Sequence, residues 1–151
     1  MIKRREFLTL LTVALAGSPL IACAEKAGPA VQVYKSATCG CCSKWVEHLR
    51  AAGFTVEATN VADINLYKQK HGVPPQLASC HTALVDGYVI EGHVPADDVI
   101  KLLRERPEIM GIAVPGMPMG SPGMESPNPQ YFETIAFNSA GPAAVFAVHK
   151  P

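Results

Sequence analysis
The sequence predicts one α/β domain, and three observations carry that reading. The length is 151 residues, which fits a single domain of ordinary size. Short stretches with period-2 alternation take turns with stretches of helical spacing along the first two thirds of the chain. Breaker residues separate them, with the strongest turn signal at Asp86-Gly87. Composition narrows the class further. Hydrophobic residues make up 48%, which excludes a disordered chain, and no apolar run is long enough for a polytopic membrane protein. A formal net charge of +0 leaves no electrostatic footprint for nucleic acid.

Val31 to Tyr34 alternates apolar and polar residues and predicts a first strand. Ser36 to Cys41 reads as a turn. Cys42 to Ala52 reads as a helix, with Trp45, Val46 and Leu49 on one face and Gly53 as its stop. Phe54 to Thr59 predicts a second strand. Asp63 is placed to cap a helix running to about His71, closed by Gly72 and Pro74-Pro75. Thr82 to Val85 and Tyr88 to Glu91 flank the Asp86-Gly87 turn as a hairpin. Pro95 opens a helix with Asp97 and Asp98 in its first turn and Arg104 and Arg106 in its last, each sign at the end the helix dipole favours. Pro107 to Pro129 holds six prolines and four glycines and is expected to be loop throughout. Tyr131 to Phe137 and Ala143 to His149 predict a second hairpin around Ser139 to Pro142. The order β-α-β-α-β-β-α is that of the thioredoxin fold, here with an added Met/Pro/Gly-rich loop and a C-terminal β-hairpin.

The N-terminus reads as an export signal. Lys3-Arg4-Arg5 is a basic region before an apolar stretch from Leu8 to Leu20. That stretch is too short, and too interrupted by Gly and Pro, for a good membrane span. Arg4-Arg5-Glu6-Phe7-Leu8 resembles a twin-arginine signal. Leu20-Ile21-Ala22-Cys23 resembles a lipobox, which makes Cys23 the candidate lipidated residue and a lipid anchor to the membrane the consequence. Ala22-Cys23-Ala24 also fits ordinary cleavage. The expected organisation is an export signal over 1–22, a linker over 23–29 and a thioredoxin-like metal-binding domain over 30–151. Cleavage would remove Lys3, Arg4, Arg5 and Glu6 and leave two more acidic than basic residues. The expected location is the periplasm, where unliganded thiols tend towards disulfides.

The chemistry concentrates in the cysteines. Cys39, Cys41 and Cys42 stand at the first strand-to-helix turn, where a helix N-terminus stabilises thiolates. Cys80 precedes the third strand and is followed by His81; in a thioredoxin-like order that position faces the cysteine turn. Three readings stay open: structural disulfides joining Cys39 or Cys42 to Cys80, a dithiol pair Cys39/Cys42 acting in thiol–disulfide exchange, and a metal site. Only the last uses all four thiols and the adjacent histidine. Soft sulfur suits Zn²⁺, Cu(I) and iron–sulfur clusters. Met117, Met119 and Met124, in a breaker-rich loop, tilt the choice to Cu(I), because thioethers do little for Zn²⁺. The other use of these methionines is to cover an apolar face of the sheet. His93, after the hairpin, is a further candidate ligand. His48 and His71 read as solvated surface residues, His149 carries little information, and Trp45 and Tyr88 read as core.

Four separated motifs carry a resemblance. They are Tyr34-Lys35-Ser36-x-x-Cys39-Gly40-Cys41-Cys42, Cys80-His81-Thr82, Val85-Asp86-Gly87-Tyr88-Val89-Ile90-Glu91-Gly92-His93-Val94-Pro95, and the run from Pro115 to Glu125. In this order the chain resembles the CopG-type family of exported bacterial metal-binding proteins, often encoded with copper-resistance genes. The resemblance runs from about Val31 to His149. It implies a thioredoxin-like fold and a cysteine-bridged copper site holding more than one ion. The family's cysteine motif falls on Cys39, Cys41 and Cys42, its Cys-His pair on Cys80 and His81, and its Met loop on Met117 and Met124; Met119 has no assigned role. Cu(I)/Cu(II) redox handling and plain sequestration are both compatible roles, and other periplasmic copper-handling proteins are the expected partners. Enzymatic activity, on copper or on thiols, stays open, with a periplasmic thiol–disulfide oxidoreductase as the alternative function.

Overall fold
The structure is a computed structural model and describes residues 28–151. The expected export signal, Cys23 and the linker up to residue 27 lie outside the described residues. No helix among the described residues is long and apolar enough to cross a membrane.

The elements are β1 (Ala30–Lys35), α1 (Gly40–Ala51), β2 (Thr55–Asn60), α2 (Ile64–Lys70), a 3₁₀ turn (Pro75–Leu77), β3 (His81–Val85), β4 (Tyr88–Glu91), α3 (Ala96–Glu105), β5 (Gly111–Ala113), β6 (Phe132–Asn138) and β7 (Gly141–His149). The strands form one mixed sheet in the order β2-β1-β3-β4-β5-β6-β7. β1 and β2 are parallel, β3 runs antiparallel to β1, and β4 antiparallel to β3. β5 is parallel to β4, and β6 and β7 follow antiparallel. The mixed α/β expectation holds.

Local chemistry explains most boundaries. Asp63 caps α2 by accepting the Asn65 N–H at 2.8 Å. Asp86 and Gly87 both take positive φ, 47° and 88°, the pair of angles that a two-residue hairpin of the native twist requires. The three expected residues of α1, Trp45, Val46 and Leu49, are buried. They pack against Val31, Val33, Ala83, Val85 and Ile90 of the sheet, with Val99 and Leu102 of α3 in the same core. Each such Leu or Val contributes about 1.5–3 kcal/mol by leaving water. Trp45 also donates its indole N–H to the Val94 carbonyl at 2.8 Å. Tyr88 is only partly buried against this core, and its hydroxyl donates to the Pro107 carbonyl. A second cluster, Val73, Leu77, Val89, Ala113 and Phe137, lies apart from the first.

Three expectations need correction. α1 begins at Gly40, so Cys39 is its N-cap and Cys41 and Cys42 are already helical. Arg106 lies beyond α3 as its C-cap, in the left-handed region at φ 51°. The expected loop contains β5. Gly111 enters the sheet because it lacks a side chain: a Cβ there would stand 2.0 Å from the Val89 carbonyl oxygen. Ile112 beside it is wholly buried and pairs with Ile90. Through β5 the C-terminal hairpin becomes part of the main sheet.

Candidate metal centre
The sheet register brings the site together. Lys35, the last residue of β1, pairs with His81, the first of β3. The chain entering β3 therefore meets the turn leaving β1, and Cys80 meets the start of α1. No side chain caps that helix start, so its free N–H groups face the cysteine turn. Cys39 and Cys42 are joined as a disulfide, and Cys41 and Cys80 are free thiols. The Cys41 sulfur lies 3.6 Å from that of Cys39 and 3.9 Å from that of Cys80. All four sulfurs fall within 4.8 Å of one another.

A second set shares Cys80. The ligand atoms of Cys80, His81 and His93 also lie within 4.8 Å of one another. The Cys80 sulfur is 3.3 Å from His81 Nδ1 and 3.0 Å from His93 Nε2. His93 donates its Nδ1–H to the Pro122 carbonyl at 2.7 Å, which leaves the Nε2 lone pair towards Cys80. That arrangement, one ring nitrogen tied back and the other presented, is how proteins orient a ligating imidazole. His81 is fully buried, its ring 4.4 Å from that of Trp45, and its Nε2 has no hydrogen-bond partner among the described residues. Buried polar atoms are rarely left so, because an unmet donor or acceptor costs about 1–3 kcal/mol.

Charge in the site is low. Burial holds the His81 pKa well below 6.5, and the positive ends of His93 and Lys68 act in the same direction. Burial also lowers His93, against the Pro122 carbonyl and Glu125. Burial, then the neighbouring Cys41, pushes the Cys80 thiol up to about 12. The helix-terminus argument for easy thiolates therefore does not extend to Cys80, which needs a cation to lose its proton.

The loop of 116–125 covers the helix start. Gly123 makes this possible, since a Cβ there would stand 2.6 Å from the Cys41 carbonyl oxygen. Cys41, Lys44, Met119, Gly123, Met124 and Glu125 line a pocket of about 250 Å³. The structure thus brings Met124 and Met119 to the cysteine turn. Met117 is 51% exposed and outside that lining. Met117 and Met119 cover no buried face, being exposed, while Met124 is half-buried.

The remaining histidines are not plain surface residues. His48 is half-buried and its Nε2 accepts the Ala96 N–H at 3.0 Å, at the start of α3. His71 is half-buried beside Tyr34, ring centroids 6.0 Å apart. His149 lies 2.8 Å from the buried Asp98 carboxylate and stacks on Phe132. Sequence reasoning missed a buried ion pair next to the site, Lys68 Nζ to Glu91 at 2.5 Å. A signal for it existed: Glu91 stands two residues on from the apolar Val89, and strand alternation puts both on one face.

Residues 77–124 match a family described as "Protein of unknown function, DUF411". No curated protein matches the chain. A solved structure titled "Copper resistance protein copG- Form 2" is similar at TM-score 0.77 and 44% identity, covering 82% of this chain and 99% of that one. The structure titled "Copper resistance protein copG- Form 1" is similar at TM-score 0.76 and 45% identity, covering 81% of this chain and 98% of that one.

Proposed function
The chain belongs to the family of the CopG copper resistance proteins, and from that premise we propose that it binds Cu(I), more than one ion per chain, in a cysteine-bridged centre serving copper resistance or copper redox handling. The observation that carries the reading is the convergence of Cys39, Cys41, Cys42 and Cys80 within 4.8 Å, with His81 and His93 on Cys80. The donor set fits the metal: soft thiolates select Cu(I), and bridging sulfur lets several ions share few ligands. His81 Nδ1, 3.3 Å from the Cys80 sulfur, and the presented Nε2 of His93 supply nitrogen donors at the same place. Of Met117 and Met124, the pocket supports Met124 as a thioether donor.

Loading requires the dithiol form. The Cys39–Cys42 disulfide takes two electrons and two protons from a dithiol reductant, and each thiol then releases its proton as its sulfur takes copper. The order and sense of β1 to β4, with α1 between the parallel pair β1 and β2, α2 between β2 and β3, and α3 after the hairpin, support reading this part as thioredoxin-like. The comparisons give the thiol–disulfide oxidoreductase alternative no support. We further propose export to the periplasm with removal of residues 1–22 and lipidation of Cys23; mass spectrometry of the exported protein should find a diacylglyceryl group on Cys23, and an intact Met1 would refute the processing.

Anaerobic titration of the reduced protein with Cu(I), followed by metal analysis, tests the function. More than one copper per chain is expected. A plateau at one ion would refute the multinuclear centre, and no uptake would refute the copper reading.

A further inference from the structure
We propose that Met119, with Met124 and Cys41, forms an entry site where Cu(I) arriving on another ligand is exchanged before it reaches the rest of the cysteine centre. The proposal deepens the copper reading and rests on it.

Cys42 is wholly buried, and Cys39, Cys41 and Cys80 are half-buried, with His93 packed against Cys80. Cys41 is the sulfur of the four that lines the pocket of about 250 Å³ under the loop. An ion that enters there meets Cys41 first.

The position of Met119 at that mouth is held by the backbone. Its N–H donates to Gln130 Oε1 at 3.0 Å, and its carbonyl accepts the Gln130 N–H at 2.8 Å. The Gly120 N–H donates to the Met124 carbonyl at 2.7 Å, closing the loop between the two methionines. His93 holds the Pro122 carbonyl, and Glu125 accepts the Gly123 N–H at 2.6 Å and faces Lys44 across the pocket. The main chain is thus tied at several points. The Met119 side chain is nonetheless 41% exposed and fills no core. A fixed backbone that holds an exposed thioether beside a half-buried thiol suits ligand exchange.

The chemistry asks for such a group. Cu(I) is soft and travels bound to soft ligands, so transfer needs an incoming donor before the outgoing one leaves. At the mouth, one copper–thioether bond forms and one bond to the carrier breaks. The ion then passes to the Cys41 sulfur, whose proton goes to water. No electrons change hands. A thioether binds weakly enough to release the ion again, which a buried thiolate would not do.

The experiment follows Cu(I) transfer from the cuprous bicinchoninate complex to the reduced full chain by anaerobic stopped flow, in wild type and Met119→Leu. Equilibrium stoichiometry and affinity are measured by competition with the same chelator. Leucine keeps the apolar bulk and removes the sulfur. Transfer should slow by about tenfold in the variant, as for a modest rise of the barrier, while stoichiometry and affinity stay at wild-type values and Zn²⁺ uptake keeps its rate. An unchanged Cu(I) rate overturns the proposal. A loss of stoichiometry or affinity also overturns it, because Met119 would then be a ligand of the centre itself. A wild type that takes up no Cu(I) overturns the copper reading and the entry site together.

Discussion
Two buried polar clusters lie side by side around β3 and β4, and they are built on opposite principles. In one, Glu91 Oε1 accepts from Lys68 Nζ at 2.5 Å and from the Ser79 N–H at 2.6 Å, and Oε2 accepts from Thr82 at 2.7 Å. Burial pushes the Glu91 carboxyl up, and Lys68, Thr82 and Ser79 pull against that. In the other, Cys80 holds its proton, His81 Nε2 has no partner among the described residues, and His93 presents a lone pair. A closed network of this kind is architecture: it anchors the residue before Cys80. A donor set left open in the interior is a place for something else to bind. The clusters share the same short stretch of chain, with Ser79 and Thr82 in one and Cys80 and His81 in the other.

The largest effect should come from breaking the closed network. Glu91→Ala leaves the Lys68 ammonium buried without its carboxylate, and removing one partner of a buried pair costs about 3–5 kcal/mol. Denaturant unfolding should show that loss, and a wild-type midpoint would mean that Lys68 reaches water once released. The open cluster should respond in the opposite way. Cys80→Ser leaves no buried charge without its partner, so it should move the unfolding free energy far less than Glu91→Ala does. It should lower copper stoichiometry as much as Cys39→Ser does. Full stoichiometry in the Cys80 variant would remove that residue from the centre.

The smallest effect sharpens the comparison with a histidine outside both clusters. Burial draws the His48 pKa below 6.5, against Asp97 and Glu125, and its neutral Nε2 accepts the Ala96 N–H. The folded state therefore binds fewer protons than the unfolded state once the pH falls below the unfolded value. The stabilisation from neutral His48 is present above pH 6.5 and is lost as the pH falls through the lowered folded value. In metal-free protein, His48→Gln should make the decline of stability below pH 6.5 shallower. The difference should be about 1 kcal/mol or less, the net worth of one neutral hydrogen bond. Identical pH profiles would show that burial does not lower the His48 pKa.

How far this molecule could be read in advance depended on the range of the signal. The Asp63 cap, the Asp86-Gly87 turn and the buried face of α1 rest on contacts within a few residues, and they stand as expected. β5 was hidden because its evidence is non-local: in a run of prolines and glycines, Gly111-Ile112-Ala113 becomes a strand only where Val89 and Phe137 lie on either side. His48 likewise looked solvated until α3 was packed against it.

The sequence by itself determined the donors. Three cysteines in four residues, a Cys-His pair and a methionine-rich loop are covalent facts, and their softness towards copper follows from sulfur chemistry alone. Only the tertiary structure decided their arrangement. The pairing of Lys35 with His81 set Cys80 against the helix start, and the Pro122 carbonyl turned His93 towards it. Met119 and Met124 came to the Cys41 pocket while Met117 stayed outside. The physical reason is that ligand type is a property of one residue, whereas a site is a set of distances. Those distances are fixed by strand register and loop packing between segments far apart in the chain.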